Sequence, residues 1–142
     1  MPASLSRDSS SAPSLPNRRP SIVSSSSRPR QIIETARVGS LGTLDEAGNP
    51  FVSLVTVAAL EPTRLILLLS GLAQHTKNLD RAPKCSLLLV EPGGEQGNPL
   101  AGARLTISGS AKRIVRDGDD VARACFLAAH PSAAAYAEFE DF

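Results

Sequence analysis

Residues 103–115, "ARLTISGSAKRIV", alternate without a break: Leu105, Ile107, Gly109 and Ala111 fall on one side, and Arg104, Thr106, Ser108, Ser110 and Lys112 on the other. A period of two is the pattern of a β-strand with one wet face. Four more runs share this character. Val38 to Leu44, "VGSLGTL", alternates small and apolar residues, and "FVSLVTVA" is β-branched and apolar enough for a central strand. Arg64 to Ser70 and Cys85 to Val90 supply a third and a fourth. Between the first two lies "DEAGNP", whose Asp45, Gly48, Asn49 and Pro50 are turn formers, so a hairpin is expected there. Gly109 is expected to mark a bulge or a close backbone approach.

Helical spacing is confined to short segments. "QIIETAR" places Ile32, Ile33 and Ala36 on one face, and "QHTKNLDR" forms a helix that Pro83 ends. "DDVARACFLAAHP" spaces Val121, Ala124, Cys125 and Ala128 for a third helix, and "SAAAYAEFEDF" starts another with Ser132 as N-cap after Pro131. The Gly- and Pro-rich "EPGGEQGNPLAG" reads as a connection. Five strands in antiparallel order with peripheral helices predict a mainly β fold, a small antiparallel barrel.

A chain of 142 residues with 42% hydrophobic content supports one such domain plus a tail. Residues 1–30 are that tail: Ser, Pro and Arg dominate, with five arginines against the single acid Asp8, and disorder is expected. The same composition also suits an organellar transit peptide, so a plastid or mitochondrial address stands beside a cytoplasmic one. The remaining residues present no basic nucleic-acid face. Cys85 and Cys125 are too few for a disulfide framework or a zinc site, which fits a reducing compartment. No stretch reaches the ~20 apolar residues that span a bilayer, and the N-terminus has no signal-peptide core, so a soluble protein is expected.

One polar cluster interrupts the apolar pattern. A strand ending at Ser70 leads through a turn into a helix that opens with Gln74, His75, Thr76 and Lys77. Free backbone N–H groups and the positive helix end then face the same space, which suits an anion such as a phosphate. Arg104 is a further donor. The alternative is a solvated turn whose charges only maintain solubility.

The runs "GTLDEAGNPFVSLVTVA", "LLLSGLAQHTKNLDRAPKCSLLL", "NPLAGARLTISGSAKRI" and "FLAAHPSAAAYAEFEDF" resemble, in order and spacing, the pyridoxamine-phosphate-oxidase-like FMN-binding split-barrel proteins. They are most similar to the haem-utilisation (HugZ-type) branch of that family, over residues 31–142. The resemblance implies an antiparallel FMN-binding split barrel, a homodimer, and one FMN in each of two clefts between subunits. It implies that His75, with Gln74 and Thr76, meets the FMN phosphate. Ser53, Val55 and Thr56 would run along the flavin, Leu69 and Ser70 border it, and Arg104 would lie near the ring. His130 is expected only to cap a helix.

Two departures bear on activity. Ser53 and Gln74 stand where the oxidase proper uses Arg and Lys, which argues against pyridoxamine-phosphate oxidation. Relatives also continue into a further strand and a glycine-rich segment, so a barrel lacking its last strand is expected. The first reading of function is an FMN-dependent oxidoreductase in which the flavin carries the electrons and no catalytic side chain is needed. Consistent with it, the chain has no H-E-x-x-H, C-x-x-C, G-x-S-x-G or P-loop motif. The alternatives are a haem-binding or haem-degrading protein, with His75, His130, Tyr136, Met1 and the two cysteines as candidate ligands, and a non-enzymatic regulator on the same barrel.

Overall fold

Asp45 organises the hairpin around which the sheet is built. Its carboxylate accepts hydrogen bonds from the backbone N–H groups of Ala47 and Asn49 at 2.9 and 2.8 Å and from Asn49 Nδ2 at 3.1 Å. These bonds hold its pKa below the usual carboxylate value, the Asn49 side chain contributing most. Gly48 completes the turn at φ 82°, a left-handed conformation that a Cβ disfavours.

The computed structural model describes residues 27–91, 98, 100–114 and 120–138. In chain order these form α1 (Ser27–Thr35), β1 (Val38–Leu44), β2 (Pro50–Glu61), β3 (Arg64–Leu67), α2 (Gln74–Arg81), β4 (Lys84–Val90), β5 (Arg104–Ser110), α3 (Asp120–Ala129) and a 3-10 turn, Pro131–Ala135. The strands make one curled antiparallel sheet in the order β3-β2-β1-β4-β5, the expected split-barrel architecture.

The period-two pattern becomes two faces. Leu41, Val55, Val57, Leu87 and Leu89 point to the concave side, where Ile32 and Ile33 of α1 join them in the main core. Leu41, Val57 and Leu89 are no more than 1% exposed, each contributing about 1.5–3 kcal/mol through burial. On the convex side, α3 covers only one end, packing Ala122 and Phe126 against Ala58 and Ile66. The rest of that face is open: Val52 and Leu54 on β2 are 67% and 74% exposed, and Leu88 and Val90 on β4 are 36% and 50% exposed. Register places Leu54 and Leu88 on either side of Ser40, so these side chains form one apolar patch.

Several expectations are corrected. α1 begins at Ser27, not near Gln31, because Pro29 sits in the first turn, where its missing N–H costs nothing, and Arg28 pairs with Glu91 at 2.8 Å. β3 ends at Leu67, and Leu68 to Ser70 leave the sheet. Gly109 pairs regularly with Cys85, and a Cβ there would meet nothing within 4 Å, so it marks neither a bulge nor a close approach. Gly39 holds that role. A Cβ at Gly39 would lie 2.9 Å from both Leu87 Cδ1 and Leu89 Cδ2 and 3.2 Å from the Leu88 carbonyl. In α3 the buried residues are Ala122 and Phe126, while Val121 is 67% exposed. His130, not Ser132, occupies the N-cap position of the 3-10 turn, and it makes no side-chain cap. Residues 1–26 of the tail, and 92–97 and 99 of the Gly- and Pro-rich connection, lie outside the described residues.

Candidate functional site

Where the chain leaves β3, it turns through Leu68, Leu69 and Ser70 to start α2. Ser70 shapes this turn: its Oγ accepts from the Leu72 N–H at 3.2 Å, and its carbonyl accepts from Thr76 Oγ1 at 2.7 Å and the Ala73 N–H at 3.2 Å. Ala73, at the N-cap of α2, offers no side-chain oxygen, so the helix opens without a side-chain cap. The result is a cleft of about 260 Å³. Leu54, Val55 and Thr56 of β2 form one wall; Leu68, Leu69 and Ser70, with Ala73 and His75, form the other.

Of the residues anticipated at a cofactor site, Val55, Thr56, Leu69, Ser70 and His75 share this cleft. Gln74 and Thr76 stand beside it in the first turn of α2, but their side chains are engaged within the fold. Gln74 Nε2 donates to Asn78 Oδ1 at 2.9 Å, and Thr76 is the residue that holds Ser70. Ser53 points to the concave side opposite Leu41. Arg104 is not brought to the cleft within one chain. It lies on β5, separated from β2 by β1 and β4. Leu54 falls within the Ser53 to Thr56 stretch expected along the cofactor, whereas Leu68 and Ala73 are not anticipated by the sequence.

Two buried side-chain atoms have no hydrogen-bond partner among the described residues: Ser53 Oγ and His75 Nε2. A buried polar group left without a partner costs about 1–3 kcal/mol. His75 Nε2 belongs to a residue lining the cleft, so a ligand there would satisfy it. Burial also pushes the His75 pKa below the ordinary 6.5. The imidazole is therefore neutral at pH 7, the form that ligates a metal or shares a single hydrogen bond.

This shift carries a pH dependence. A depressed histidine pKa means that the unfolded chain binds the proton more readily, so the contribution of His75 to stability is intact above about pH 6.5 and is lost as pH falls toward the folded-state value. The melting temperature is expected to drop more between about pH 7.5 and 5.5 in the wild type than in His75→Asn, which cannot titrate there. Equal drops would show that His75 is solvated.

Other candidate groups are engaged or lie elsewhere. His130 Nε2 lies 2.8 Å from the Val57 carbonyl, and its ring packs 4.8 Å from that of Phe126, so it ties the end of α3 to β2. Cys125 Sγ donates to the Ala59 carbonyl at 3.2 Å. Tyr136 packs on the second core cluster, and Met1 is outside the described residues. Cys85 lines a larger open groove of about 910 Å³ on the concave side between β3 and β5, where burial pushes its thiol pKa up. Neither orphaned polar atom lines that groove, which favours the smaller cleft as the functional one.

The cleft suits a planar, largely apolar ligand better than a phosphate. Among the described residues no Arg or Lys lines it. Its volume falls below the ~300–1,000 Å³ usual for small-molecule sites, and its Leu54 wall continues into the exposed patch. A cofactor as large as FMN or haem therefore needs a second surface to complete it. No group of three potential metal-ligating side chains occurs among the described residues.

Comparison with known proteins agrees with the split-barrel fold. A family model described as pyridoxamine 5'-phosphate oxidase matches residues 28–140. The chain is 33% identical over 115 residues to the chloroplastic non-canonical heme oxygenase HOZ of Arabidopsis thaliana, covering 80% of this chain and 34% of that protein. It is 30% identical over 79 residues to the heme oxygenase HutZ of Vibrio cholerae, covering 56% of this chain and 44% of the other. A heme binding protein from Mycobacterium smegmatis superposes with a TM-score of 0.73 at 38% identity, over 80% of this chain and 46% of that one. The chain thus spans less than half the length of the curated relatives it matches.

Proposed function

Because this chain belongs to the pyridoxamine 5'-phosphate oxidase-like split-barrel family, in its haem-utilisation branch, we propose that it binds haem in the cleft at His75. The observation that carries this reading is a buried, unpartnered Nε2 on a neutral imidazole whose residue lines an apolar cleft. Among the described side chains considered as iron ligands, His75 alone combines an unpartnered nitrogen with a place in the wall of the cleft. When bound, haem supplies a redox-active iron; the chain holds it, keeps His75 neutral, and excludes water with Leu54, Leu68 and Leu69.

The names of the relatives support haem over FMN, and so does the cleft. Within one chain, an FMN phosphate would lack a cationic partner, since neither the neutral His75 nor the remote Arg104 supplies one. Titration of the purified protein with hemin is expected to give a saturable Soret band, while FMN fluorescence remains largely unquenched. Tight FMN binding without a Soret band would restore the oxidoreductase reading.

The exposed apolar patch supports a second copy as the partner. Val52, Leu54, Leu88 and Val90 leave exposed apolar side chains on the sheet face that continues from the Leu54 wall of the cleft, and a second copy seated there would both bury them and complete the cofactor site. Among the described residues no helix is long and apolar enough to cross a membrane. The chloroplastic relative supports the plastid alternative for the tail, which loss of organelle import on deleting residues 1–30 would test.

A further inference from the structure

Behind His75, a chain of side-chain hydrogen bonds pins α2 to the sheet. Asn78 is 0% exposed. Its Nδ2 donates to Thr43 Oγ1 at 3.0 Å, and its Oδ1 accepts from Gln74 Nε2 at 2.9 Å. The Thr43 hydroxyl, 4% exposed, donates in turn toward the Phe51 carbonyl at 3.4 Å. Each link leads to one side of the cleft. Asn78 follows His75 by three residues, one turn along the same side of α2. Phe51 lies on β2, on the same strand face as Val55 in the opposite wall.

Stability alone does not account for a carboxamide at this position. A leucine of similar shape would bury apolar surface against β1 without having to satisfy two donors and an acceptor, and hydrogen bonds that merely replace those to water give a small net return. What the amide provides is direction. A leucine tolerates sliding and rotation of the helix, whereas an Asn–Thr bond in a dry interior holds one separation and one register.

We propose that Asn78 is a positioning residue which, through Thr43, fixes the separation between the His75 imidazole and the β2 wall and so sets the width of the cofactor cleft. The proposal rests on the reading of that cleft as a cofactor site. Thr76 plays the complementary part: its bond to the Ser70 carbonyl fixes the loop on which the second wall is built.

The test uses the full chain with Thr43→Val, Thr43→Ser, and the double variant Thr43→Val with Asn78→Leu. The double variant replaces both partners by apolar groups of similar shape, so its melting temperature is expected to recover from the loss seen in Thr43→Val. Two readouts are expected not to recover. Hemin affinity falls at least about tenfold with a moved Soret maximum, within the range by which residues supporting a ligand from behind act on it. In the hemin-free protein, amide hydrogen exchange over Gln74–Lys77 is faster than in the wild type, while β1 and β2 keep their protection. Thr43→Ser, which retains the oxygen, is expected to match the wild type in both. A double variant with wild-type hemin affinity and wild-type exchange would reduce Asn78 to packing and overturn the proposal. If the double variant does not fold, the two single variants decide: equal exchange over α2 in Thr43→Val and Thr43→Ser overturns it, and faster exchange in Thr43→Val alone supports it. Should the wild type bind no hemin, the haem reading falls, and the exchange measurement still decides the role of Asn78.

Discussion

His75→Ala is expected to weaken hemin binding by more than about 100-fold and to remove the wild-type Soret maximum. Loss of an outer-shell partner of a metal ligand typically costs 10–100-fold, and loss of the ligand itself exceeds that. Three features converge on this side chain. Its Nε2 is buried without a partner, its ring is held neutral by burial, and the residue lines the cleft beside β2. The variant is expected to fold normally, because removing an unsatisfied buried nitrogen relieves a cost. Added imidazole is then expected to restore part of the Soret band by occupying the vacated space. Unchanged hemin affinity in His75→Ala would move the iron ligand elsewhere.

The second large effect concerns the convex face. Placing Val52→Asp and Leu54→Asp together in the apolar patch would bury two unpaired carboxylates in any contact with a second copy, a penalty of several kcal/mol. At about 1.4 kcal/mol per factor of ten, the dimer dissociation constant is expected to rise more than 100-fold, and light scattering coupled to size exclusion is expected to report a monomer. Both positions are more than two-thirds exposed in the single chain, so its own stability is expected to change little. Hemin affinity should fall with the dimer, because Leu54 belongs to both the patch and the cleft. A wild-type protein that is monomeric under the same conditions would remove the second copy from the site.

How much of this was legible in the sequence depended on whether a local signal decided the outcome. β1 and β5 follow from alternation alone, and the hairpin follows from Asp45, Gly48 and Asn49, which act within a few residues of one another. α2 was equally plain, because Pro83 stops a polar helix whose limits nothing else could set. α3 buries a different face from the one its spacing predicts. "DVARACFLAA" is apolar on most sides, so spacing could not choose between Val121 and Ala122; packing on Ala58 and Ile66 did.

In the site, neighbours along the chain such as Leu69, Ser70 and His75 were foreseeable as a group, whereas relations across the sheet were not. Arg104 read as a donor for the same pocket because strand order, which puts β4 and β1 in between, leaves no trace in the residue pattern. Asn78 and Thr43, 35 residues apart, look like ordinary surface polar residues until the fold buries them against each other. Gly39 likewise reads as one small residue among several, and its need for space arises only from Leu87 and Leu89 across the sheet.

That contact lies on a seam with a kinetic meaning. Among the described residues, three of the four strand pairings, β1 with β2, β2 with β3 and β4 with β5, join elements adjacent in the strand sequence. Only β1 with β4 brings together distant segments, matching Ser40 to Leu88 across two strands and a helix. The hairpins can form within microseconds, but their union must first overcome the loop-closure entropy of everything between. The rate-limiting event in refolding is therefore expected to be the docking of the β4–β5 hairpin onto β1, with Leu87 and Leu89 sliding over the bare backbone of Gly39. Stopped-flow refolding of Leu87→Ala and Gly39→Ala is expected to show slowed folding, with φ-values above about 0.5. Ile66→Val, beneath α3 and away from this seam, is expected to act on unfolding instead, so the glycine that lets two strands meet also sets how quickly the sheet becomes one piece.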